Sequence, residues 1–346
     1  MMGPTPASAA VDVDPVLDVR DLAVEFGSGG ATVRAVRGVS FQLVRGQRLG
    51  LVGESGSGKS LTALATMNLI RSPGRVSGGS VLLNGRDVLA MPAQELASVR
   101  LAQIAMIYQD PLSSLNPVQP VGRQIVEALR LHTKLTRKEA HERAVELLDS
   151  VGVPRPALRF GSYPHEFSGG MRQRVMIAMA ISVEPAVLIA DEPTTALDVT
   201  TQARIIDLLH RLVEERDMAV LLITHDLGLA ATFCSDIAVM YAGRIVDRAP
   251  ARSFYRHPLH PYSEGLLGSV PSLSTDPGLP LPAIPGQPPL AGRVPAGCPF
   301  NTRCSYVLDV CREVAPVAYA APDGAVAECH RADERLRGRI VGGGLR

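Results

Sequence analysis

The stretch Gly53-Glu54-Ser55-Gly56-Ser57-Gly58-Lys59-Ser60 follows the apolar run Leu49-Gly50-Leu51-Val52 and leads into a helical pattern from Leu61 to Leu69. The form G-x-x-x-x-G-K-S between a strand and a helix is that of a phosphate-binding loop. Its glycines let the chain wrap so that backbone N–H groups point inward at phosphate oxygens. The helix start that follows adds partial positive charge. Lys59 is expected to bridge the β- and γ-phosphates of a nucleoside triphosphate, and Ser60 to offer its hydroxyl oxygen to Mg²⁺.

Three more apolar runs end in polar residues. Ile104-Ala105-Met106-Ile107-Tyr108 stops at Gln109, Val187-Leu188-Ile189-Ala190 at Asp191-Glu192, and Val220-Leu221-Leu222-Ile223-Thr224 at His225. Continuous apolar runs of this length suit strands buried on both faces of a parallel sheet. Ligands bind such sheets beyond the carboxyl ends of the strands. If the four strands are neighbours, Gln109, Asp191, Glu192 and His225 meet the glycine loop in one crevice. Asp191 would then hold Mg²⁺, and Glu192 would polarise the water that attacks the γ-phosphorus. A single His or an Asp-Glu pair is by itself an ordinary structural feature; the shared address makes the set specific.

Around this core the chain has 346 residues and a formal net charge of +1, from 35 basic and 34 acidic residues. No global field draws it to nucleic acid, and with no Trp and 4 % aromatics it has no stacking platform for single strands. The segment Met1 to Pro15 lacks the basic start and apolar stretch of a secretory signal. Thr136-Arg137-Lys138-Glu139 is a capping box, followed by Ala140, Ala144, Leu147, Leu148 and Val151 at helical spacing and then Gly152. It reads as a helical insert on the sheet. Ser168-Gly169-Gly170-Met171-Arg172-Gln173 opens a second helical run with two bare glycines, again offering N–H groups to an anion. Because the chain already has one phosphate cradle, this second helix start suggests a nucleotide clamped between two protomers.

Proline marks the main change in composition: nine of the 29 residues from Pro271 to Pro299, a segment expected to be an extended arm. The main unit is therefore placed at about 1–250, with an insert at about 110–165, and an appendage at 251–346. A loose Gly/Arg tail, Gly338 to Arg346, closes it.

The set Gly53–Ser60, Gln109, Ser168–Gln173, Val187–Glu192, Ala196-Leu197-Asp198 and His225 resembles the ATP-binding-cassette ATPases. More closely it is similar to the ATPase subunits of dipeptide and oligopeptide importers. Tyr108-Gln109-Asp110-Pro111, Ser114-Leu115-Asn116-Pro117, Met171 to Ala180, Ala190 to Thr200 and the downstream His260-Pro261-Tyr262 carry that likeness. The resemblance implies an α/β P-loop NTPase: a RecA-like core with an antiparallel β edge subdomain and a helical insert, plus a small Pro/Cys-rich C-terminal extension. It also implies two cassettes closing head-to-tail over two ATP molecules, with Ser168, Gly169, Gly170 and Gln173 of one covering the γ-phosphate held by the other. Glu192 would be the catalytic carboxylate and His225 would contact the γ-phosphate. Gln109 would sense Mg²⁺, Asp198 would link the two sites, and Phe26 would stack on adenine. Two transmembrane permease subunits, a second ATPase (a paralogue) and an extracytoplasmic peptide-binding protein are the implied partners. The implied place is the cytoplasmic side of the inner (plasma) membrane. Other cargoes, nickel chelates or glutathione, stay open, as does a soluble cassette ATPase outside transport. A long coiled-coil insert or second cassette, usual in that last group, is absent from the sequence.

Cys298, Cys304, Cys311 and Cys329 fall within 32 residues, and Cys234 stands apart. Without a C-x-x-C knuckle the spacing is poor for structural zinc. Four thiolates on looser loops suit a [4Fe–4S] cube, and Cys298-Pro299 resembles the Cys-Pro pair of ferredoxin sites. Zinc, and thiols without metal, are the alternatives; His330 is a further candidate ligand. Cys234 is expected to be an ordinary buried thiol.

Overall fold

A computed structural model of the chain describes residues 14–27, 32–110, 114–195, 197–271 and 283–338. Much of the N-terminal segment, the loop beside Phe26, Pro111, Ala196, most of the first half of the proline-rich arm and nearly all of the Gly/Arg tail lie outside the described residues.

The four apolar runs form strands that lie side by side. β1 (Leu17–Phe26) and β2 (Val33–Leu43) precede β3 (Arg48–Val52), which leads through the glycine loop into α1 (Lys59–Thr66). β4 (Gly74–Leu83), β5 (Arg86–Asp87) and α2 (Ala93–Val99) follow, then β6 (Ile104–Ile107). Between β6 and β7 (Val187–Asp191) the described residues include α3 (Val121–His132), α4 (Arg137–Ser150), α5 (Pro156–Arg159) and α6 (Gly169–Ala180). After them α7 (Val199–Arg216), β8 (Ala219–Thr224), α8 (Leu227–Phe233), β9 (Asp236–Tyr241) and β10 (Arg244–Pro250) complete the core.

With β11 (Ala318–Ala320) and β12 (Val326–Glu328) from the C-terminal part, the larger sheet runs β11-β12-β10-β9-β3-β8-β7-β6, and the smaller, antiparallel one β2-β1-β4-β5. β3, β8, β7 and β6 are contiguous and parallel. Alternate residues serve two cores. Val187, Ile189, Leu221 and Ile223 face the small sheet's Leu17, Val24 and Phe41. Leu188, Ala190, Val220 and Leu222 face the helical side. Apolar side chains on both faces explain why these strands carry no polar residue until their carboxyl ends.

The insert helix α4 has the expected reciprocal cap, Thr136 with Glu139, and buries Ala140, Ala144, Leu147 and Leu148. The C-terminal part starts with α9 (Ala251–Arg256) and α10 (Pro261–Gly268). It continues through α11 (Val310–Glu313), β11 (Ala318–Ala320), β12 (Val326–Glu328) and α12 (Ala332–Leu336). β12 pairs antiparallel with β10, and Arg244 grips Glu328 with two hydrogen bonds of 2.8 and 2.6 Å. The appendage thus extends the main sheet. Among the described residues no helix is long and apolar enough to cross a membrane.

Candidate functional site

The glycine loop is shaped by close backbone approach. At Gly53, φ is +148°, and a Cβ would stand 2.2 Å from the Met240 carbonyl oxygen. Any larger residue would have to displace β9. Gly58, also at positive φ, is the residue before α1, and no side chain caps that helix start. Its first N–H groups are therefore available to an anion. The Lys59 ammonium is buried and donates to the carbonyl oxygens of Gly53 (2.8 Å) and Glu54 (3.0 Å). Burial lowers its pKa, and the charges of Glu192, Asp191 and Glu54 counter that shift. It is a cation held inside a loop of N–H groups, the electrostatic requirement for a polyphosphate.

Ser60 Oγ donates to Asp191 Oδ1 at 3.1 Å, so the two candidate Mg²⁺ ligands already meet. Burial raises the pKa of Asp191. Next to it, Glu192 leaves the strand at φ 46°, in the left-handed region, with its N–H bonded to Ile223 O. Its carboxylate accepts from Gln109 Nε2 (3.0 Å) and Thr195 Oγ1 (2.9 Å), and His225 Nδ1 lies 3.2 Å away. Burial pushes the Glu192 pKa up. The hydrogen bonds from Thr195 and His225 and the charges of His225 and Lys59 outweigh that, and the carboxyl sits below its usual range. The result is an ionised base held by three partners beside a buried lysine.

The structure thus brings together Gly53–Ser60, Gln109, Asp191, Glu192 and His225. No hydrogen bond among the described residues joins Ser168 to Gln173 to the glycine loop. Ser168 caps α6 through Met171 N–H (3.4 Å), Gly170 packs on Thr201, and the buried Gln173 Nε2 has no hydrogen-bond partner. Asp198 caps α7 through Thr201 N–H (3.0 Å). Phe26 ends β1 opposite Val33 and Gly74, half-buried.

Sequence reasoning gave no role to Thr195, which fastens Glu192 from three residues on. Nor did it see that the appendage reaches the glycine loop. Arg303 holds Glu54 through two bonds, Nη1 to Oε2 (2.7 Å) and Nη2 to Oε1 (2.9 Å), and Tyr262 Oη accepts from Glu54 N–H (2.9 Å). Tyr262 was visible only as part of the His260-Pro261-Tyr262 resemblance.

Cys298 and Cys311 are buried in the helical-side core, Cys304 and Cys329 lie half-buried against it, all four are free thiols, and burial pushes Cys298 up to about 11 and Cys329 up to about 12. The expectation of a metal finds no support here. Among the described residues no group of three or more His, Cys, Asp or Glu stands close enough to hold a metal ion. His330 Nε2 donates to Val314 O (2.9 Å), so that nitrogen is taken. Cys234 is buried just after α8, and burial pushes it up to about 12, an inert thiol as expected.

A glycine loop closing a buried parallel strand, with a lysine and hydroxyl opening the next helix and a fastened carboxylate two strands away, defines a P-loop NTPase. The family profile described as "ABC transporter" matches residues 36–195, and that of the "Oligopeptide/dipeptide transporter, C-terminal region" matches 246–311. The oligopeptide transport ATP-binding protein OppD of Salmonella typhimurium is 48 % identical over 332 residues, 96 % of this chain and 98 % of that protein. OppD of Bacillus subtilis is 47 % identical over 314 residues, 90 % and 88 % of the two chains. A dimeric post-hydrolysis structure of an ATP-binding cassette bound to ADP and Pi is 25 % identical, with a TM-score of 0.62, over 68 % of this chain and 99 % of that one. The chain belongs to the ATPase subunits of oligopeptide/dipeptide ABC transporters.

Proposed function

We propose that this ATPase powers uptake of oligopeptides, with residues 1–250 as the nucleotide-binding unit, their helical insert at about 110–165, and 251–346 as the peptide-transporter extension. Backbone N–H groups of the loop Gly53 to Ser60, that of Glu54 excepted because it bonds Tyr262, and the Lys59 ammonium bind the β- and γ-phosphates. Ser60, Asp191 and Gln109 would hold Mg²⁺, which when bound neutralises charge on the phosphates. Glu192 takes the proton of the attacking water, and Thr195, Gln109 and His225 fix where its carboxylate points. Phe26 would stack on adenine. Ser168, Gly169, Gly170 and Gln173 would serve the ATP of a second ATPase subunit, a paralogue, and Asp198 would link the two sites. Two permease subunits and an extracytoplasmic peptide-binding protein complete the assembly at the cytoplasmic side of the inner membrane. Support for the cargo comes from the names of the relatives and from the C-terminal match.

The observation that carries the ATPase reading is the Glu192 carboxylate, kept ionised beside Lys59 and aligned by three donors. Glu192→Gln should leave ATP binding intact and lower kcat about a thousandfold. Turnover within twofold of the parent would overturn the role of Glu192. Uptake of a labelled tripeptide by cells expressing the full transporter, lost in the same variant, tests the cargo.

The four C-terminal cysteines enter this proposal as holders of an iron–sulfur cluster on their spacing in the sequence, although their side chains do not stand together as a ligand set in the structure. Arg331 N–H donates to Cys329 Sγ at 3.4 Å, and the backbone N–H groups of Phe300 and Tyr306 bond Cys298 and Cys304. Such N–H groups stabilise thiolate sulfur. Anaerobic purification followed by iron and sulfide assay decides it: no iron per chain rejects the cluster.

A further inference from the structure

Glu54 is an anomaly in a loop that has to accept a polyanion. A free carboxylate there would repel the phosphates, and repulsion is strong where water is partly excluded. Its charge reaches the cradle, for it is among the groups that counter the burial shift of Lys59.

Arg303 meets that carboxylate end-on with both nitrogens. Its side chain is 3 % exposed against 28 % for Glu54. Nε donates to Pro285 O (2.9 Å), and the guanidinium carbon lies 5.8 Å from the Tyr241 ring centre and 5.9 Å from that of Phe300. The carbonyl and the two rings set the plane of the fork before Glu54 arrives, so little freedom is lost in forming the pair. The segment that presents Arg303 is itself fixed: Asn301 Nδ2 donates to Ala296 O (2.7 Å) and Cys311 O (3.1 Å). Tyr262, on α10, packs against the same two rings, and its Oη accepts from the Glu54 N–H.

We propose that Arg303 is a positioning residue for ATP binding: it neutralises the Glu54 carboxylate and draws it away from the phosphate cradle, so that the C-terminal extension sets this chain's affinity for ATP. The inference rests on the reading of Gly53–Ser60 as that cradle. Arg303 touches no phosphate itself; it acts through Glu54.

The test is equilibrium binding of a fluorescent ATP analogue to the full chain, with the thermal midpoint of the nucleotide-free protein measured alongside. Arg303→Met should raise Kd about tenfold, and the rise should shrink with added salt, which screens the exposed part of the repulsion. In the double variant Arg303→Met/Glu54→Gln the repelling charge is gone, and Kd should return to within about threefold of the parent. A merely structural contact predicts the reverse: a weakened fold and equal loss in both variants. An unchanged Kd in Arg303→Met, or no recovery in the double variant, overturns the proposal. If Arg303→Met does not fold, Arg303→Lys keeps the charge and loses the fork; its Kd should rise about threefold, and adding Glu54→Gln should remove the rise. Absence of that rise is equally fatal. Failure of the parent chain to bind the analogue would instead sink the cradle reading and leave the Arg303–Glu54 link without a function.

Discussion

Two helices of this chain start with bare glycines, and their surroundings differ. At α1 the loop is walled in: the Met240 carbonyl presses on Gly53, Lys59 ties the loop's own carbonyl oxygens, and Arg303 and Tyr262 grip Glu54 from the appendage. At α6 the first residue lies open, although Gly170 packs on Thr201. A Cβ on Gly169 would meet nothing within 4 Å, and the Ser168 cap is a long 3.4 Å bond. The local device, unsatisfied N–H groups at a helix N-terminus, is the same in both. Tertiary contacts finish one as a site and leave the other as a half-site, which is what the proposed two-subunit arrangement requires.

Replacing one glycine in each region separates them most sharply. Gly53→Ala sets a methyl against a backbone oxygen that cannot yield cheaply, and ATP binding should be lost, with stability lowered by about 3 kcal/mol or more. Gly169→Ala should leave the melting temperature and ATP binding of the isolated chain unchanged, while steady-state hydrolysis by the assembled transporter falls. Equal effects of the two substitutions on the isolated chain would erase the distinction.

A smaller effect probes the finished site alone. The His225 contact is among those that lower the Glu192 pKa. His225→Ala should therefore raise that pKa and move the acid limb of the kcat profile to higher pH, with a loss of about tenfold at neutral pH. A reduced rate with an unmoved acid limb would deny His225 its hold on Glu192. The smallest effect belongs to the open region: Ser168→Ala removes a cap already stretched, and the chain should lose no more than about 0.5–1 kcal/mol in denaturant unfolding.

The finished site was largely legible because central strands advertise their ends. β6, β7 and β8 carry no polar side chain between the two cores until their last residues, so Gln109, Asp191-Glu192 and His225 emerge at or just past the carboxyl ends, at the rim. Thr195 escaped notice because a threonine three residues past a carboxylate is common and only the turn made by Glu192 brings its hydroxyl round. The Arg303–Glu54 pair was out of reach for a different reason: 249 positions separate its members, and one Arg among 35 basic residues carries no mark of its partner. β11 and β12, three residues each, are too short to show a period and owe their existence to the open edge of β10. The cysteine spacing suggested a metal that the side-chain positions do not support, since clustering in sequence says little about where sulfur atoms point.

Glu192 leaves β7 with a backbone twist that side chains other than glycine's avoid, and the hydrogen bond from its N–H to β8 locks the twist in. Durability and work are therefore at odds at this one position. The molecule spends some of its resilience to keep a carboxylate facing the crevice, and the sheet's tight weave is what makes that sacrifice tolerable.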